Sequence, residues 1–104
     1  MTAARLPPDE EERLAALATM HVLDTSPDSR FDSFVNLAAD LYRVPIALVS
    51  LVDDRRQWFR ASRGLAVRQT PRDFAFCAHA ILEPDEVTVV EDALSDHALP
   101  TIRW

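Results

Sequence analysis

Apolar positions in this chain follow two periods. Phe31, Phe34, Val35, Ala38, Leu41 and Tyr42 recur at three- and four-residue steps, which predicts an amphipathic helix with Asp32, Asn36, Asp40 and Arg43 largely on the other side. Ahead of it, Ser26-Pro27-Asp28 reads as cap, first-turn proline and first-turn acid. Pro45 forbids the helical conformation at Val44 and so stops the helix. A narrower stripe, Leu14, Leu17, Ala18 and His21, predicts a first helix. Asp9 is placed to cap it, Glu12 completes a capping-box pattern, and Glu10 and Glu11 complement the helix dipole. So thin a stripe needs a packing partner to stay folded.

The second period is that of strands. Ile46 to Val52 is apolar on both alternations, as in a strand covered on both faces, and is expected at the centre of a sheet. Asp53-Asp54-Arg55 makes a polar turn, and Gln57 to Ser62 returns as a second strand, ended by Arg63-Gly64. In it Trp58 and Arg60 are expected to face one way and Phe59 and Ala61 the other, at an edge or near-edge position. Thr70-Pro71-Arg72-Asp73 has the pattern of a helix start, with Phe74, Cys77, Ala78 and Ile81 on one face and Glu83-Pro84-Asp85 closing the helix. Val87 to Val90 reads as a third strand, after which Glu91-Asp92 opens a loop to the end. The class is α+β with an antiparallel sheet.

Length and composition narrow the chemistry. At 104 residues the chain allows one domain, spanning 1–104. Gly64 is the single glycine, which excludes a phosphate-cradling P-loop and a dinucleotide fingerprint. All eleven basic residues are arginine, which excludes Schiff-base chemistry. Cys77 is alone, so there is no internal disulfide and no cysteine-rich zinc site, a usage that fits a reducing compartment. Met1 to Pro8 lacks an apolar core long enough for a signal peptide, no apolar run approaches the roughly 20 residues of a membrane span, and a cytoplasmic location without membrane contact is expected. The net charge of −6 argues against general affinity for nucleic acid. That charge is uneven: six arginines stand between 55 and 72 with no acid, while the rest of the chain holds five arginines against seventeen acids. The run is either a hairpin whose arginines pair with acidic helices of the same molecule, or a face for an anion or a partner.

Candidate chemistry is sparse. Cys77 and His79 are two residues apart, which on a helix turns their side chains about 200° from one another, so they share no proton. Cys77 is either a buried thiol or a pocket-lining one, and His79 points either into a cleft or into water. Asp92, Asp96 and His97 offer only a poor metal site, and none is assigned. Gln57-Trp58-Phe59-Arg60 mixes aromatic and basic residues, but alternation sends its two rings to opposite faces, which disfavours a single-strand nucleic-acid platform.

The runs Leu23-Asp24-Thr25-Ser26-Pro27, Phe31-Asp32 and Val44 to Asp53 resemble the opening of a GAF domain. Arg56-Gln57-Trp58-Phe59, Thr70-Pro71-Arg72-Asp73, Phe76-Cys77-Ala78-His79-Ala80-Ile81 and Val89 to Ala93 continue the resemblance across residues 10–96. The chain is most similar to the subgroup found N-terminal in bacterial sensor histidine kinases and diguanylate cyclases. The resemblance implies an incomplete GAF-like antiparallel sheet with the two N-terminal helices packed on one face, and a small-molecule pocket on the other. It points to Trp58, Arg72, Phe74, Phe76, Cys77 and His79 as ligand-binding residues and leaves the ligand and any cofactor unknown.

From His97 onward the sequence follows no part of the family pattern, so a C-terminally truncated domain is expected. Ile46 to Val52 would then keep an open edge, and a homo-oligomer, or pairing with another chain through that edge, is expected. The family's cyclic-nucleotide motif needs a lysine that this chain lacks. Its reductase chemistry needs a second cysteine. Bilin attachment is only approximated by Cys77-Ala78-His79, and nothing favours haem through His79. The first expectation is a non-catalytic sensory module of bacterial signal transduction. The second is a dimerisation or protein-interaction remnant without a ligand, and the third a GAF-type reductase.

Overall fold

A computed structural model describes residues 3–90. Three helices and a three-stranded antiparallel sheet follow in the order α1 (Glu10–Met20), α2 (Ser29–Tyr42), β1 (Ala47–Val52), β2 (Arg56–Arg63), β3 (Gln69–Pro71) and α3 (Phe76–Ala80), with a turn of 3-10 helix at Arg72–Phe74. The expected α+β class with an incomplete sheet is the observed one.

The helix starts differ from the sequence expectation in their chemistry. Asp9 occupies the cap position of α1 but makes no side-chain cap bond. In α2 the cap is Asp28, not Ser26: its carboxylate accepts the backbone N–H of Arg30 at 2.9 Å and, being doubly bonded by that residue, fixes the start two residues later. Arg43, in the left-handed conformation, ends α2 ahead of Pro45. The buried line of α2 is Val35 and Ala39, while Phe34, Leu41 and Tyr42 of the predicted stripe lie exposed, as does Leu37.

Strand order is β1-β2-β3, so β2 is central and β1 is an edge among the described residues, the reverse of the expected placement. The third strand is Gln69–Pro71 and not Val87 to Val90, which forms no strand and leaves Val87 and Val89 exposed. Thr70, read from sequence as a helix cap, pairs instead with Gln57, and its hydroxyl accepts from the Gln57 side chain at 3.2 Å.

The register also shifts between Val49 and Ser50: Val49 faces Ala61, whereas Ser50 faces Phe59. Arg60 is the extra residue of a β-bulge, which breaks the alternation expected for β2. Phe59 therefore shares a face with Ser50 and Val52, and Ala61 shares the other with Val49. The side of Ser50 meets α3 through Cys77; the side of Trp58 and Ala61 meets α2, where Arg60 stacks 4.9 Å from the Phe31 ring.

Ion pairs fasten the helices to this sheet, with four arginines of the basic run taking acids from elsewhere in the chain. Arg56 pairs with Asp24 at 2.6 Å, Arg63 with Asp40 at 2.9 Å and Arg72 with Glu10 at 2.6 Å, while Arg60 lies 4.0 Å from Asp28. Hydrogen bonds from the Arg30 side chain and backbone bring Asp28 down to about 2. Arg72, against the opposing effect of burial and helped by Arg13, holds Glu10 below the usual carboxylate range, and Arg56 does the same for Asp24. Depressed carboxylates stabilise the fold above their unfolded values and cease to do so once protonated. The melting temperature is therefore expected to fall as pH drops from about 4.5 toward 2. Thermal melts across that window check it, and Glu10→Gln is expected to flatten the profile, because Glu10 is the least exposed of the three carboxylates.

Candidate functional site

An apolar groove of about 740 Å³ lies between α1, the edge of β1 and α3. Pro7, Leu17 and Met20 form one wall, Ser50 and Leu51 the floor, and Cys77 and Ile81 the other wall. Cys77 enters this groove because α3 seats Ala78 against the sheet, which turns the preceding residue toward β1. There the Ser50 hydroxyl donates to the Cys77 sulfur at 3.1 Å. Half-buried and held by a neutral donor, Cys77 is a polar point on an apolar wall, suited to orienting a mostly hydrophobic ligand.

Arg13 also borders the groove, but its guanidinium is already spent. It donates to both carboxylate oxygens of Glu10 at 2.9 Å and to the carbonyl oxygen of Val52. Arg72, one of the residues singled out from sequence, is committed in the same cluster. Its Nη1 donates to Glu10 at 2.6 Å and to the Asp53 carbonyl at 3.1 Å, with the side chain 6% exposed. This network bolts the N-terminus of α1 to the β1–β2 turn, and it occupies the very groups that a ligand would need.

The other sequence candidates are dispersed. Trp58 is buried on the α2 face, 5.9 Å from the Arg60 guanidinium, and not with Cys77. Phe74 falls in the 3-10 turn and not in α3, and Phe76, half-buried, begins α3. His79 projects from the flank of α3 opposite Cys77, as the two-residue spacing requires, and its Nε2 is buried with no partner among the described residues. Cys77 lines the groove, and Trp58, Arg72, Phe76 and His79 do not.

Sequence reading missed Ser50 and Gln57. Ser50 was legible only as an interruption of an apolar run, yet it is the hydroxyl that meets the thiol. Gln57 is 1% exposed, and its Oε1 has no partner among the described residues. Its Nε2 donates to Thr70 of β3, a strand too short to predict. The cluster of Asp92, Asp96 and His97 lies outside the described residues, and no group of three or more potential metal-ligating side chains occurs among the described ones. Among those residues no helix is long and apolar enough to cross a membrane.

No protein-family model matches the sequence. Over 82 residues the chain is 44% identical to the cyclic di-GMP phosphodiesterase PA2567 of Pseudomonas aeruginosa, a match that takes in 79% of this chain and 14% of that protein. The chain thus spans about one seventh of the length of this curated relative.

Proposed function

We propose that the chain is a non-catalytic, GAF-like sensory module of a cytoplasmic cyclic di-GMP signalling protein, with a small-molecule site in the groove beside Cys77. The observation that carries this reading is the 44% identity to a cyclic di-GMP phosphodiesterase over so small a part of that enzyme. A segment of this size suits an appended regulatory unit better than a complete hydrolytic domain. The groove supports the ligand-sensing half of the proposal: it is apolar, roomy and marked by one hydrogen-bonded thiol.

The test is a chimera. The matching segment of the Pseudomonas aeruginosa enzyme is replaced by that of this chain, and cyclic di-GMP hydrolysis is followed with the isolated chain assayed in parallel. The isolated chain is expected to hydrolyse nothing above background. The chimera is expected to remain active and to change its rate severalfold when Cys77→Phe narrows the groove, with melts confirming that the variant folds. Hydrolysis by the isolated chain, or a chimera indifferent to Cys77→Phe, would overturn the reading.

A second reading, a self-association module, is favoured by one arrangement. Arg63 reaches the Asn36 carbonyl and Asp40, which turns that flank of α2 toward β2. Phe34, Leu37 and Leu41 of the same helix stay more than 60% exposed, an apolar surface without cover among the described residues. Light scattering at micromolar concentration separates the two readings, since a compact monomer excludes self-association through this face.

A further inference from the structure

The arginines of the basic run are not equally committed. Arg56, Arg63 and Arg72 each hold a carboxylate within 3 Å. Arg60 and Arg68 do not. The Arg60 side chain is 7% exposed and lies between the rings of Phe31 and Trp58. Its Nη1 donates to the Ser26 carbonyl at 3.1 Å, but its nearest acid, Asp28, stands 4.0 Å away and is already bonded by Arg30. Its Nε is buried with no acceptor among the described residues. A guanidinium carries five donor hydrogens, so most of this one's capacity is unspent in a place where an unmet donor is costly. Arg68 makes no ion pair among the described residues; its backbone carbonyl accepts from Phe59, which fixes where the loop after β2 crosses.

Arg60 and Arg68 both line a small cleft of about 180 Å³, bordered also by Thr25, Pro27, Asp32 and Ser62. It lies by Trp58 on the α2 side of the sheet, away from the groove of Cys77. The volume equals that of about six water molecules at roughly 30 Å³ each, enough for a tetrahedral or planar oxyanion.

We propose that this cleft binds a small oxyanion, a phosphate group or a carboxylate, held between Arg60 and Arg68. The two rings fix the Arg60 plane and exclude water from it, which strengthens charge-assisted hydrogen bonds at its free donors. The Ser62 hydroxyl supplies a further donor at the rim, while the Thr25 hydroxyl already donates to the Val22 carbonyl at 2.8 Å. Asp32 is the one acid in the lining, and its charge works against the anion. The bound group would join the α1–α2 connector to the loop after β2, two segments that no other ion pair joins among the described residues.

Inorganic phosphate and acetate, titrated separately at constant ionic strength into the isotopically labelled chain, provide the test by NMR. Saturable shifts are expected at Thr25, Ser62 and Arg68, and the tighter of the two probes identifies the recognised group. Arg68→Ala is expected to weaken binding on the order of tenfold, as loss of a charged hydrogen-bond donor does. Asp32→Asn is expected to tighten it severalfold, which a nonspecific response to charge elsewhere on the surface would not do. Shifts that fail to saturate with either probe, or an affinity unmoved by both substitutions, would overturn the proposal.

Discussion

Replacing Arg72 by alanine is expected to lower the free energy of unfolding by about 3–5 kcal/mol, the range found when one partner of a buried ion pair is removed. The side chain is 6% exposed and its partner Glu10 13%, so both charges sit largely away from water. The same guanidinium also satisfies the Asp53 carbonyl at 3.1 Å, and Glu10 simultaneously receives Arg13, which holds the Val52 carbonyl. Alanine at this position therefore leaves a carboxylate with one cation in place of two and an unpartnered carbonyl at the β1–β2 turn. Since Leu17, in its C-terminal half, is the one buried residue of α1, the N-terminal half is expected to detach. Urea denaturation gives the free energy, and the melting temperature should fall by on the order of 15 °C. The double variant Glu10→Leu, Arg72→Met is expected to recover much of the loss, because an apolar pair carries no desolvation penalty. A cost under about 1 kcal/mol for Arg72→Ala would mean that the pair is solvated and α1 is held by something else.

The two long helices and the first hairpin were legible because each rests on a local period. Their edges and partners were not, because those depend on residues far along the chain. Ile46 to Val52 shows this best. It is apolar on both alternations because β1 has α2 on one face and α3 on the other, but coverage of two faces does not imply a neighbour on two edges. Gln69–Pro71 escaped notice because three residues containing a proline carry almost no strand signal; what makes them a strand is their pairing with Arg56–Trp58. The bulge at Arg60 is likewise silent in sequence, and it undid the expected separation of Trp58 and Arg60 from Ala61.

The basic run fared better, since pairing within the molecule was one of its two readings. Arg56, Arg63 and Arg72 fit it with Asp24, Asp40 and Glu10. That success limits the candidate site: Arg72, expected from the family resemblance to face a ligand, is consumed by Glu10. Cys77 reaches the large groove because its position on α3 is a matter of helical phase, which sequence does carry. Trp58 stands apart from it because strand phase was reset by an unforeseen bulge.

Gly64 sets the second large expectation. It has a φ of +87°, a left-handed backbone that costs an L-residue about 1–2 kcal/mol, and it sits immediately after Arg63, where β2 ends. The larger obstacle is space. A Cβ built there runs into the carbonyl oxygen of Pro45 and presses on the Ile46 side chain at 3.2 Å. The carbonyl belongs to the backbone, so no side-chain rotamer change clears the way. Gly64→Ala must therefore move the chain at Pro45–Ile46 or at Arg63, and either motion unpairs Ala47 from Arg63 at the end of the β1–β2 ladder. It would also withdraw Arg63 from Asp40 and from the Asn36 carbonyl, loosening α2 from the sheet. The expected loss is at least about 2 kcal/mol by urea denaturation, with strain and clash adding. Because the obstruction is a main-chain oxygen, Pro45→Ala in the same chain should not restore stability. If Gly64→Ala stays within about 0.5 kcal/mol of the parent, the approach of residue 64 to Pro45 is looser than described, and the end of β2 is not pinned there.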